Sequence, residues 1–247
     1  MQHFGRLGLF AVLLAVSACN KSEVLESEDL RTSGIYPEFS VLATGNGDTS
    51  VSVTLKVAGN DTNTTLELTG DDKLVCTADG TEKTLKLSGT AYKGTFDTDA
   101  GGTEFTFALS RGDVDDDAPD SHVVLPDPFE LDGVDKTTEV SRAEGKVELT
   151  WDASDADDTS TWTIEGDCLF SKDGKVSTDG KLVLSGDNLD GTSIADAEDA
   201  TDDEANCKAT VCVDRKLVGH LDPAFAKEEG GEIRAIQRRC ISFISTP

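Results

Sequence analysis

The sequence predicts an all-β chain: two tandem antiparallel β-sandwich domains of the immunoglobulin-like kind. Three observations carry this prediction. Apolar and polar residues alternate with period two through most of the chain. Helical periodicity is almost absent. Asp-Gly and Asn-Gly pairs, whose residues tolerate the positive φ of tight hairpins, recur between the alternating runs. With 247 residues, 37% of them hydrophobic, the chain can fill two cores of about 100 residues each.

The first element is not a strand. Residues 1–18 carry Arg6 as their one charged side chain and run apolar or small from Leu7 to Ala18. That is the length of a signal-peptide core and short of the roughly 20 residues that span a bilayer. Val16-Ser17-Ala18-Cys19 closes this run and resembles the lipobox of bacterial lipoproteins. The resemblance implies cleavage before Cys19, a diacylglycerol on its thiol and acylation of the new amine. Asn20, standing where a retention aspartate would be, implies the outer membrane. The protein would face the periplasm or the cell surface. Residues 19–30, polar and charged, read as the lipidated cysteine and a flexible tether.

Strands follow. In 51–57 the residues Val51, Val53, Leu55 and Val57 share one face, with Ser52, Thr54 and Lys56 on the other. Phe105, Phe107 and Leu109 repeat the pattern, as do Val147, Leu149 and Trp151, and then Cys207, Ala209, Val211 and Val213. One apolar and one polar face mark half-buried strands. Turns are expected at 46–47, 79–80, 132–133, 173–174, 179–180 and 190–191. Residues 110–121 interrupt the alternation. Residues 123–131 read as a closing strand confined to an edge by Pro126 and Pro128. The first domain is therefore placed at 31–132, a linker at 133–137 and the second domain at 138–247. Residues 192–205 read as an acidic loop. The runs "LELTGDDKL", "LPDPFEL", "CKATVCVDRKLVG" and "RAIQRRCISF" resemble two-domain β-sandwich lipoproteins of Gram-negative bacteria without assigned activity.

The formal charge is −26. This excludes nucleic-acid binding, which Lys and Arg drive by neutralising phosphates. Arg215, Lys216, Arg234, Arg238 and Arg239 concentrate late in the chain, either as a patch for an acidic glycan or protein or as internal ion pairs, the preferred reading. An exported chain permits disulfides. Four cysteines lie in the second domain, and no C-x₂-C knuckle marks zinc. Cys207 and Cys212, an odd number apart on one strand, face opposite sides and need different partners. Of three possible pairings, the favoured one joins Cys168 to Cys207 and Cys212 to Cys240. Cys76 is read as a buried thiol.

Asp113, Asp115, Asp116, Asp117 and Asp120 begin like a calcium loop, but Ala118 and Val124 stand where that loop needs Gly and Glu. Calcium is a candidate ligand here, a solvated acidic loop the preferred reading, and no other cofactor is expected. Catalytic motifs are missing, no catalytic residue is assigned, and His122 and His220 are expected to lie apart in separate domains. Trp151 and Trp162 are expected in the core. These observations favour a membrane-tethered, non-catalytic envelope lipoprotein that serves as a binding or structural module for a protein or glycan partner. The competing reading is a carbohydrate-active hydrolase using a carboxylate pair.

Overall fold

The computed structural model describes residues 24–59, 62, 64–112, 115–153, 159–176, 179–189, 206–226 and 231–247. The strands are β1 Val24–Glu26, β2 Ile35–Ala43, β3 Thr49–Val57, β4 Thr65–Glu67, β5 Lys73–Ala78 and β6 Thr81–Thr84. They continue as β7 Lys86–Ser88, β8 Ala91–Phe96, β9 Glu104–Ser110, β10 Ala118–Val124, β11 Glu139–Ser141 and β12 Lys146–Thr150. The last are β13 Thr159–Gly166, β14 Leu169–Lys175, β15 Lys181–Ser185, β16 Cys207–Val218 and β17 Glu232–Thr246. Short 3-10 turns at Ser27–Asp29, Thr32–Gly34 and Gly186–Leu189 complete the regular structure among the described residues.

The chain is all-β and folds as β-sandwiches. One large sheet runs β1-β4-β3-β2-β17-β16-β13-β14, with β8 on β3, β7 on β8 and β11 on β17. A four-stranded sheet, β10-β9-β5-β6, covers one half of it, and the β12–β15 pair covers the other. The first core interleaves Phe39 of β2 with Phe107 of β9, ring centroids 4.7 Å apart, and Phe96 of β8 with Phe105 of β9 at 5.5 Å. Val147 and Leu149 of β12 and Leu182 and Leu184 of β15 form the second core with Trp162, Ile164, Val211, Val213 and Phe243. The alternation of β3 appears as buried positions at every second residue. Asp79 and Gly80, at φ 47° and 70°, close the β5–β6 hairpin as the Asp-Gly pair predicts.

Four expectations need correction. The sheet is not purely antiparallel, since β1–β4, β11–β17 and β17–β2 pair in parallel. The two units also share β17. Its Glu232–Gln237 stretch pairs with β2, and Ile233 and Ala235 enter the first core, whereas Phe243 lies in the second. Phe225 also belongs to the first core. The division at 138, which assigns all later residues to the second domain, therefore fails for this segment. Parallel pairing beside β2 places Ile233 and Ala235 of β17 in the first core, where their apolar surface leaves water.

Third, the closing strand expected at 123–131 stops at Val124. The strand instead starts earlier, at Ala118, inside the expected interruption, with a register shift before Ser121. Pro126 and Pro128 have no N–H to donate to a ladder, so the chain leaves the sheet there and buries Leu125 and Phe129. Fourth, Asp173-Gly174 is not a turn but lies inside β14. A Cβ at Gly174 would stand 2.6 Å from Trp162 Nε1, so the glycine lets the indole cover the strand. The 190–191 pair and the loop at 192–205 lie outside the described residues.

Candidate functional site

The connection from β16 to β17 passes over β10 and forms a seam between the two units. His122 N–H donates to the His220 carbonyl at 2.9 Å, and His220 N–H returns a bond to the His122 carbonyl at 2.8 Å. The imidazole centroids are 5.3 Å apart. The expectation that these histidines stay apart is thus overturned, because Gly219 and the residues after it dock on the first unit. Two residues further along, Asp222 is buried and fully employed. Its Oδ2 accepts Asp120 N–H at 2.8 Å and its Oδ1 accepts Ala224 N–H at 2.8 Å, while its own N–H donates to the buried Ser121 Oγ at 2.9 Å. Backbone donors thus take up the charge that burial would otherwise make costly.

The aspartate loop has a cationic centre that the sequence reading did not identify. Arg111 is fully buried, with Nε 2.9 Å from Asp72 Oδ2. Its Nη1 donates to Thr32 Oγ1 at 3.1 Å, and its Nη2 to the carbonyls of Ser27 and Leu30. Asp117 Oδ1 accepts Arg111 N–H at 2.7 Å, and Asp115 Oδ2 accepts Thr32 N–H. The Thr32 N–H, aided by the Arg111 charge, holds the Asp115 carboxyl below its usual range. Two candidate calcium ligands therefore already accept backbone bonds, Asp120 reaches toward the seam, and Asp113 lies outside the described residues. Among the described residues no three acidic, histidine or cysteine groups converge as metal ligands. The same cluster corrects the tether. Val24–Glu26 pairs with β4, and Ser27 and Thr32 are buried, so residues 24–30 are docked to the sandwich.

The late basic residues are held within the fold. Arg238 makes a forked pair with Asp214, at 2.6 and 2.8 Å, across the β16–β17 ladder. The Asp214 bond raises the Arg238 pKa. Lys216 stands 3.8 Å from the same carboxylate, and Arg234 pairs with Glu232 at 3.0 Å. Arg215 is buried, donating to the carbonyls of Asp127 and Asp152 and lying 4.9 Å from the Phe129 ring centroid, with Arg239 at 5.7 Å from the same ring. Cation–π contact and backbone acceptors thus clamp the proline-containing 125–131 segment.

Disulfides join Cys168 to Cys207 and Cys212 to Cys240. The first packs against the second core, while Cys240 of the second is exposed. Odd spacing along β16 thus sends one bridge inward and one outward. Cys76 is free and buried, and desolvation pushes its thiol up to about 12. Trp162 and Trp151 are both buried. Trp151 also walls a notch of about 210 Å³ with Glu130, Asp132, Thr150 and Asp152. Cys19 lies outside the described residues. No helix among the described residues is long and apolar enough to cross a membrane.

No family model matches the chain, and no curated protein matches it. Among solved structures, the FN1–FN3 domains of chicken CNTN1 align over 85% of this chain at 9% identity and a TM-score of 0.23. The alignment spans 66% of that chain.

Proposed function

We propose that this protein is a membrane-tethered, non-catalytic envelope lipoprotein whose β-sandwiches act as a binding or structural module. One observation carries the reading: the residues best equipped for chemistry are used to hold the fold. Arg111, Asp72, Asp115 and Asp117 pin the N-terminal segment, Asp214 and Arg238 bind each other, and four cysteines form bridges. Sheet edges remain for a partner, notably β14 with Phe170 exposed. The anchor follows from the lipobox at Val16–Cys19, with the outer membrane as its destination. A protein or a glycan of the envelope would be the partner.

Two experiments test this. Cys19→Ser should move the protein from the membrane to the soluble fraction; retention with the membrane would end the tether. Crosslinking in native envelopes should capture a partner, while glycan, peptide and ester substrates should show no turnover. The second reading, a carbohydrate-active hydrolase, rests on the notch, where Glu130, Asp132 and Asp152 gather beside Trp151. Turnover abolished by replacing one of these three carboxylates would make that reading the right one.

A further inference from the structure

The geometry points to a binding site for a divalent transition-metal ion at the seam, with His122 and His220 as its protein ligands. Directly opposed residues in an antiparallel bridge project from the same face, and the reciprocal bonds between His122 and His220 establish that opposition. Two imidazoles sharing one tetrahedral ion, with metal–nitrogen bonds of about 2.0–2.1 Å, have centroids about 5 Å apart. The observed separation is 5.3 Å, with the rings inclined at 42°. The bridge therefore already sets the spacing that chelation requires.

The ring nitrogens of His122 are also differentiated. Nδ1 lies 3.3 Å from the Asp120 carbonyl oxygen, an acceptor only, and donates to it in the Nδ1–H tautomer. Nε2 then keeps its lone pair for a metal. Ligating histidines commonly have their second nitrogen fixed in this way by a carbonyl or carboxylate. The Asp120 carboxylate, 3.8 Å from the same Nδ1, adds negative charge beside the ring. The site is accessible: the His122 side chain is 38% exposed, and His220 is exposed.

Imidazole nitrogen selects the ion class. Cu²⁺, Ni²⁺ and Zn²⁺ take it readily, whereas Ca²⁺ and Mg²⁺ require oxygen. Because no third acidic, histidine or cysteine group converges with the pair among the described residues, water completes the coordination. Affinity should accordingly be micromolar rather than that of a closed structural site. The ligands come from distant parts of the chain, so the folded state binds and the unfolded state does not, and the ion should raise Tm.

Titration calorimetry of the purified chain with NiCl₂, ZnCl₂ and CaCl₂ tests the site. Ni²⁺ and Zn²⁺ should bind at one equivalent and raise Tm; Ca²⁺ in excess should not displace them. His122→Asn and His220→Asn should each weaken binding at least about tenfold and abolish the rise in Tm, while melting like the parent in EDTA. Should either variant fold poorly, Cu²⁺ broadening of the histidine Hε1 resonances in the parent decides, because both rings must broaden together. Unchanged affinity in the variants would assign the ions to the acidic surface and overturn the site. So would dependence on one histidine alone, or no saturable binding.

Discussion

Arg111 and Asp72 form a buried ion pair, Nε to Oδ2 at 2.9 Å, with side-chain exposures of 0% and 3%. The remaining guanidinium donors cross to residues 27–32. One cation thereby replaces the water that two carbonyls and a hydroxyl of the N-terminal segment would otherwise need. Arg111→Ala leaves Asp72 buried and unpaired and should cost about 3–5 kcal/mol in urea unfolding. Hydrogen exchange should also show protection lost first at residues 27–32. Protection unchanged there would mean that β1 pairing alone docks the segment.

The disulfides should stabilise the second unit more than the first. They close chain separations of 39 and 28 residues, each worth about 2–4 kcal/mol. Both tryptophans lie in the second core, so their fluorescence reports that unit. Reduction should lower the midpoint seen by tryptophan before that seen by hydrogen exchange in β5 and β9. Non-reducing peptide maps should recover the two bridges and a free Cys76.

Glu148 should report acid loosening of the β12–β15 pair. Lys146 at 2.8 Å and Lys181 at 2.6 Å hold its pKa down to about 2. Since the folded value is depressed, this contribution is present above the unfolded value of about 4.5. It is lost as pH falls toward 2. The carboxylate is on the surface, so high salt should shrink the shift. Carboxyl NMR titration at low and high salt checks both points.

Cys76 has the opposite sign. Its folded pKa of about 12 exceeds the ordinary 9.0, so its contribution is intact below pH 9 and is lost as pH rises toward 12. Native protein should resist thiol reagents at pH 8 and label only on unfolding. Rapid native labelling would show that β5 opens locally.

Gly219 packs directly against His122 and Val123 of β10. A Cβ there would lie 2.2 Å from the His122 carbonyl and 2.6 Å from Val123 Cβ. Gly219→Ala should therefore displace the β16–β17 connection and cost about 1–3 kcal/mol. The displacement is readable as lost amide protection at His122 and His220. An unperturbed variant would mean that the seam has slack the present packing lacks.

Much of this architecture was legible locally. The alternation through Val51–Val57 and Phe105–Leu109 marks both strands and the faces they bury, because side-chain period along a strand is a property of the strand itself. The odd spacing of Cys207 and Cys212 separates their partners for the same reason. The candidate sites were less legible. Arg111 sits in an acidic loop and looks solvated, since its acceptors at Ser27, Leu30, Thr32 and Asp72 are distant in sequence.

Sequence alone thus determined what is periodic: the all-β class, the strand faces and the inward and outward cysteines. Tertiary structure decided which strands became neighbours. Pairing of β17 with β2, the bridge between His122 and His220 and the burial of Arg111 each join remote segments. Such pairings are chosen by the apolar area they bury and the buried polar groups they satisfy. Those quantities belong to the assembled sheets, and no period along the chain encodes them.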